Sequence, residues 1–311
     1  MTTKTELGKT GLSIHPIGLG GNKIGHESPE TNTEYGDNIV AAAIDNGLNF
    51  IDTAFMYGKG LSEEIIGRTL NETNWRNKVV LATKGADEYK GDDRTFNNSP
   101  QFLKNAVDES LRRLQTDVID LYYIHFPDEN TPKYEAVGAL QQLREAGKIK
   151  AIGVSNFSLE QLKEANQDGY LDVVQGNYSL IDRSAETGLF PYLMENDISF
   201  IPYFPLASGL LAGKYTKDTV LSESQKRRPQ FQGQTYLTHL EKVDRIREIA
   251  NRHKVDVAHV VLAFYLTKEP IDAVIPGARN SGQVINNLKA AEVSLTAEDL
   301  KIIEEIYPVE Q

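Results

Sequence analysis

The run Val118-Ile119-Asp120-Leu121-Tyr122-Tyr123-Ile124-His125 is β-branched and aromatic for most of its length and stops on a histidine. A short run of this kind reads as a buried strand, and segments of helical period stand on either side of it. Working outward, the alternation recurs toward both ends of the chain. Further β-rich apolar runs occupy residues 17–20, 49–52, 79–84, 149–154, 173–175, 199–203 and 273–276. With 118–125 they number eight, the count of a closed parallel barrel. The expected fold is therefore α/β, a (β/α)8 TIM barrel.

The intervening helices carry matching end signals. Ile39, Val40, Ala43 and Ile44 share one face, and Gly47 follows as a C-terminal cap. Ser99-Pro100 and Thr131-Pro132 each place a cap donor before a proline at the first helical position. Ser158 with Gln161 spells a capping box. Ahead of the first barrel strand, residues 4–7 and 12–14 form an expected β-hairpin around 8–11, placed to plug the barrel floor. The spacing breaks once, where about 70 residues lie between Tyr203 and Ala273. The first part, 207–238, is rich in Gly, Ser, Gln, Lys and Arg and reads as a long inserted loop. Residues 240–266 and 296–306 read as extra C-terminal helices. Nothing marks a linker, so residues 1–311 are expected to form a single barrel domain.

Composition removes several classes of function. The chain has 311 residues, 40% hydrophobic and 25% charged, enough to bury a large core. It has no cysteine, which excludes disulfides, thiolate nucleophiles, iron–sulfur clusters and Cys-containing zinc sites. No apolar run approaches the roughly 20 residues that cross a bilayer. A cytoplasmic location without membrane contact is expected. Lysine plus arginine number 33 against 44 aspartate plus glutamate, a net charge of −11 that repels phosphate backbones. Nucleic acid is not an expected partner. The compact basic cluster Lys226-Arg227-Arg228 reads as a solvated loop, with a local phosphate contact as the alternative. His15, His26, His239, His253 and His259 show no metal-ligand spacing with carboxylates, and no metal site is expected.

Closed parallel barrels carry their sites at the C-terminal ends of the strands. Those ends are Asp52, Lys84, His125, Ser155-Asn156, Gln175 and Tyr203. Singly each has a bland explanation: Asp52 as a helix cap, Lys84 as a solvated strand end, His125 as a satisfied core histidine. An aspartate, a lysine and a histidine facing one another at one barrel mouth serve chemistry better than stability.

The strings that hold these residues resemble the aldo-keto reductase family. They are residues 47–58 with Asp52 and Tyr57, then Ser62-Glu63 and Gly67, residues 80–84 ending in Lys84, and residues 120–125 ending in His125. The likeness continues through 152–157 with Ser155-Asn156, 174–178 with Gln175, 203–211, the Gly277-Ala278-Arg279 segment and the Asn286-Asn287 pair. It spans nearly the whole chain in order and is similar to the bacterial branch of general stress and inositol-operon reductases. The resemblance implies NADPH-dependent reduction of aldehyde and ketone carbonyls, with Asp52, Tyr57, Lys84 and His125 as the catalytic set. A free phenol is a poor acid at neutral pH, and an ammonium beside it lowers its pKa; Asp52 would keep that buried cation paired. Neutral His125 would donate to the carbonyl oxygen.

For the cofactor, the resemblance implies that Ser155, Asn156 and Gln175 hold the carboxamide and that Tyr203 stacks on the nicotinamide. Ser208, Gly209 and Leu210 would offer amides to the pyrophosphate, and a helix near Gly282, opening from Gly277, would receive a phosphate. No Gly-x-Gly-x-x-Gly follows a strand, and the Gly209–Lys214 stretch has the wrong spacing for a P-loop. Arg279 is the cation expected at a 2′-phosphate, which makes NADP the expected cofactor. Gln283 stands where some relatives have a second arginine, similar to branches that use glutamine toward the adenine, leaving room for NAD, with Lys214 or the Lys226–Arg228 cluster as auxiliary contacts and Asn286 and Asn287 as further cofactor-binding residues. The expected partner is a small-molecule carbonyl substrate, and the expected state a monomer or small homo-oligomer. The rival readings are a nucleotide-bound regulatory or channel-associated subunit with little turnover, and a metal-dependent barrel lyase or isomerase, for which carboxylates and histidines are too few.

Overall fold

The computed structural model describes residues 4–26 and 33–309. Its strands are β1 Thr5–Glu6, β2 Ser13–Ile14, β3 Leu19–Gly20, β4 Phe50–Asp52, β5 Val80–Gly85, β6 Asp87–Lys90, β7 Asp93–Phe96, β8 Ile119–Ile124, β9 Ile149–Ser155, β10 Val173–Asn177 and β11 Ser199–Tyr203. Seven of them form one parallel sheet in the order β3-β4-β5-β8-β9-β10-β11. Helices cross from each strand to the next, among them Leu61–Glu72, Pro100–Arg113, Lys133–Glu145 and Leu159–Ala165. The sheet closes through residues 271–277, which bridge Phe200 on one side and Ile17 and Gly20 on the other. This is a (β/α)8 barrel.

The eighth strand, expected at 273–276, is reduced to those bridges because prolines flank it. Pro270 and Pro276 have no N–H to give to a ladder. Their carbonyls still accept, from Phe200 N at 2.9 Å and Gly20 N at 3.3 Å, while Gly18 N and Val274 O close at 2.8 Å.

Strand parity decides what faces inward. Phe50, Val80, Ala82, Leu121, Tyr123, Ala151, Val173 and Ile201 form the packed interior of the barrel, together with Ala273 and Ile275. Their neighbours Ile51, Leu81, Tyr122, Ile152 and Val174 pack outward under the helices. Two residues beyond these inward positions stand Asp52, Lys84, His125, Gln175 and Tyr203, so the same alternation that fills the core carries polar groups to its mouth. At the opposite end β1 and β2 pair antiparallel, and Leu7 and Ile14 enter the interior cluster, closing the floor as expected.

Helix ends follow the sequence signals with two departures: Ser99 holds the cap position of Pro100–Arg113, but its hydroxyl donates to Asn97 Oδ1 at 2.7 Å and does not cap the helix. The Ser158–Gln161 capping box is present, and Gly47 ends its helix at φ 88°. Pro132, rather than Thr131, is the cap residue of Lys133–Glu145; the Thr131 hydroxyl donates to Asp128 instead, at 2.8 Å. Within the stretch read as a loop, short turns of helix occupy Ala207–Ala212 and Glu223–Lys226, and the long helix Gly233–His253 already begins at Gly233. That early start is anchored by buried Tyr236, whose hydroxyl donates to the Thr216 carbonyl at 2.9 Å. After β5, β6 and β7 form an antiparallel hairpin turning at Gly91-Asp92.

Candidate active site

Lys84 sits on β5 beside Asp52 on β4, and both are buried at the mouth of the barrel. The Lys84 ammonium donates to Asp52 Oδ1 at 2.5 Å and to the Thr53 carbonyl at 2.8 Å. The second oxygen of Asp52 accepts from Gln175 Nε2 at 2.9 Å, which ties β10 to the pair. Burial pulls the Lys84 pKa down, but Asp52, Tyr57 and Glu63 outweigh it and hold the ammonium above its ordinary value. The cation is permanent at neutral pH.

Tyr57 lies on the loop after β4, where parity gives no guidance. Its position comes from backbone contact: a Cβ on Gly25 would stand 2.3 Å from the Tyr57 carbonyl oxygen, so only glycine lets the segment at 22–26 approach so closely. Lys84 Nζ lies 5.5 Å from the centre of the Tyr57 ring. Burial raises the phenol's pKa above its ordinary value; Lys84 pulls it down and Asp52 pushes it up, with a hydrogen bond to Asn22 lowering it further. The lysine acts in the expected direction, yet desolvation wins, and the phenol stays protonated.

His125 faces Tyr57 edge-on, ring centres 6.3 Å apart at 89°. Its Nδ1 stands 3.1 Å from Asp87 Oδ2, and Arg94 Nε donates to Asp87 Oδ1 at 2.7 Å. Burial lowers the His125 pKa and Lys84 adds to that, against the pull of Asp87; the ring is neutral at pH 7.

The other expected residues fall into linked groups. Asn156, at φ 64°, donates to the His125 carbonyl at 3.0 Å and to Ser155 Oγ at 3.1 Å, and its Oδ1 accepts from the Tyr203 hydroxyl at 2.8 Å. Ser155, Asn156, Gln175 and Tyr203 therefore stand together beside His125 and Asp52. Ala207, Ser208 and Gly209 run through positive φ ahead of Leu210, and Arg228 Nη1 donates to Ser208 Oγ at 2.5 Å. Of the basic cluster, Arg228 reaches this turn, whereas exposed Lys226 pairs with Glu223. Lys214 follows Gly213, which turns at φ 75°. Gly277 sits at the barrel rim through its bridge to Gly20, and exposed Arg279 has its backbone N–H held by Gln283 Oε1 at 2.8 Å. Gln283, Asn286 and Asn287 all lie on the helix Ser281–Leu288, where Asn286 donates to Asp256 at 2.8 Å.

Residues 16–308 match the aldo/keto reductase family. The chain belongs to the aldo/keto reductase family. It is similar to the aldo-keto reductase YhdN of Bacillus subtilis, 35% identical over 310 residues that cover 97% of this chain and 92% of that one. It is also similar to the NADH-specific methylglyoxal reductase of Escherichia coli, 32% identical, covering 97% of this chain and 98% of that one. Among solved structures it resembles the glycerol dehydrogenase AKR11B4 from Gluconobacter oxydans, with a TM-score of 0.91, 32% identity and coverage of 98% and 95%. This aldo/keto reductase is thus an oxidoreductase of a family that uses nicotinamide cofactors on small carbonyl compounds. No helix among the described residues is long and apolar enough to cross a membrane.

Three residues of the reductase site escaped the sequence reading. Asp87 and Arg94 sit in a stretch dense in charge that hides its strand pattern, although Gly91-Asp92 is a usable hairpin signal. Gly25 carries no motif of its own; only the approach of its backbone to Tyr57 reveals why it is glycine.

Proposed function

We propose that this reductase converts aldehydes and ketones to alcohols, with NADPH as the preferred reductant and NADH as the second. The observation that carries the reading is the buried Lys84 ammonium held by Asp52 and close to the Tyr57 ring. When bound, the nicotinamide supplies the hydride that the carbonyl carbon accepts. Tyr57, kept protonated by burial, gives its hydroxyl proton to the carbonyl oxygen. Lys84 stabilises the phenolate left behind, and Asp52 keeps that lysine in place and paired. Tyr57 then regains its proton from solvent. His125, edge-on to the Tyr57 ring, is the second polar group suited to the carbonyl oxygen.

The donor set fits a nicotinamide dinucleotide. Gln175 spends its amide N–H on Asp52 and so offers its carbonyl oxygen, beside the Ser155 hydroxyl, to a carboxamide. Tyr203 supplies a flat ring braced by Asn156. The left-handed turn at 207–209, with Arg228 drawn onto Ser208, suits a diphosphate. Arg279, exposed at the rim, suits a 2′-phosphate and favours NADPH. The NADH-specific relative makes NADH the necessary comparison.

Fluorescence titration with NADPH and with NADH, followed by an aldehyde panel beginning with 4-nitrobenzaldehyde, tests the whole reading. Tighter binding of NADPH and aldehyde-dependent oxidation of the nucleotide are expected. Tight binding with no oxidation by any carbonyl would leave a nucleotide-bound regulator, and absence of binding would overturn the proposal.

A further inference from the structure

His125 touches a carboxylate that the reaction above does not use. Asp87 opens the β6–β7 hairpin directly after β5, is almost fully buried, and meets His125 Nδ1 through one oxygen and Arg94 Nε through the other. A carboxylate can only accept. Burial alone would raise the Asp87 pKa, but His125 and Arg94 outweigh it and keep the group ionised. A neutral imidazole beside it must therefore carry its proton on Nδ1, which leaves Nε2 bare. The groups that bear on the ring are Asp87 from β6, Arg94 from β7, Lys84 from β5 and Tyr57 from the loop after β4. Asp87 hydrogen-bonds to it.

We infer that Asp87 is a positioning residue that fixes the ring proton of His125 on Nδ1, so that Nε2 turns a bare lone pair to the substrate oxygen when the ring is neutral and donates to that oxygen only as imidazolium. This corrects the expectation that the neutral ring donates to the carbonyl. It rests on the reductase reading for the identity of the substrate groups, while the tautomer itself depends only on the hairpin. Because burial holds the ring's pKa below its ordinary value, the neutral form prevails at pH 7, and His125 then gives the carbonyl oxygen no hydrogen bond. Acidification converts it to the form that assists reduction. Arg94 makes the test clean. It donates to Oδ1, so an asparagine at 87 would turn its carbonyl to Arg94 and its NH2 to His125, forcing the ring proton from Nδ1 to Nε2.

The experiment is long-range 1H–15N correlation on nucleotide-free protein carrying 15N-labelled histidine at about pH 7.5, where a histidine of ordinary pKa is neutral. The signals of His125 are assigned by their loss in His125→Gln. The wild type should show the Nδ1–H pattern and Asp87→Asn the Nε2–H pattern. In parallel, kcat/KM for aldehyde reduction by the wild type should fall by up to about tenfold per pH unit above the pKa of the ring, while Asp87→Asn holds it nearly level. A wild-type ring protonated on Nε2, a tautomer unchanged in Asp87→Asn, or identical pH profiles for the two proteins would each overturn the inference. Should Asp87→Asn fail to fold, the wild-type tautomer decides. If no carbonyl or alcohol is turned over, the reductase reading falls, and the nitrogen shifts still judge Asp87.

Discussion

Replacing Lys84 by methionine removes a cation and leaves its aspartate behind. Asp52 is 1% exposed and, with the ammonium at 2.5 Å lost, would keep the Gln175 amide as its side-chain partner among the described residues. Removing one partner of a buried ion pair costs about 3–5 kcal/mol, chiefly the penalty of the stranded charge. For a chain of this size about 2 °C of Tm follows each kcal/mol, so Lys84→Met should melt about 6–10 °C lower at pH 8. Burial without its cation disfavours the charged form of a carboxylate, so the variant's folded state takes up a proton more readily than its unfolded state. The folded state then holds more protons than the unfolded one, so stability falls as pH rises. The deficit should accordingly shrink between pH 8 and pH 5. Asp52→Asn in the Lys84→Met background removes the stranded charge, and should recover at least half the lost Tm while leaving carbonyl reduction abolished. Calorimetry of the wild type, the single variant and the double variant at both pH values is the assay. A deficit equal at pH 8 and pH 5, or a double variant no more stable than the single one, would refute the claim that Lys84 neutralises a buried carboxylate.

Tyr57→Phe should bind NADPH as the wild type does and lose at least about a hundredfold in kcat, because the ring remains and only the transferable proton is gone; stopped-flow reduction of an aldehyde reads it. Arg279→Ala should weaken NADPH by about tenfold, the lower end for a charge-assisted hydrogen bond because Arg279 is exposed, and leave NADH nearly unchanged in the same titration. Gly25→Ala should cost about 1–3 kcal/mol in urea denaturation and also depress kcat, since relief of the contact with the Tyr57 carbonyl displaces the acid itself. Asp87, whose folded pKa lies below the ordinary carboxylate value, contributes stability that is present above its unfolded pKa and lost as pH falls through the folded one. The Tm gap between the wild type and Asp87→Asn should therefore begin to narrow only once the pH falls below about 4, the unfolded carboxylate value.

What the sequence disclosed and what it concealed divide along a physical line. Asp52, Lys84, His125, Gln175 and Tyr203 were legible because a strand repeats every two residues: once Phe50, Ala82, Tyr123, Val173 and Ile201 are read as core, the next inward position is fixed with no further information. Tyr57 obeys no such period, since it hangs on a loop whose path is set by the backbone of Gly25, and only resemblance to a family pointed to it. The eighth strand was read as ordinary because its apolar pattern is intact; what it lacks is the N–H groups of Pro270 and Pro276, which a pattern of hydrophobicity does not register. The β6–β7 hairpin was hidden for the opposite reason, its charges breaking the alternation that marks a strand while its turn and pairing remained sound. Electrostatics was the least legible part. Sequence gives the sign of each pairwise effect, Lys84 on Tyr57 included, but the net shift depends on how much water each group has lost, and burial reverses the lysine's pull. The residues that tune a site by contact from a neighbouring element, such as Asp87 on His125, are for that reason found from distances and not from motifs.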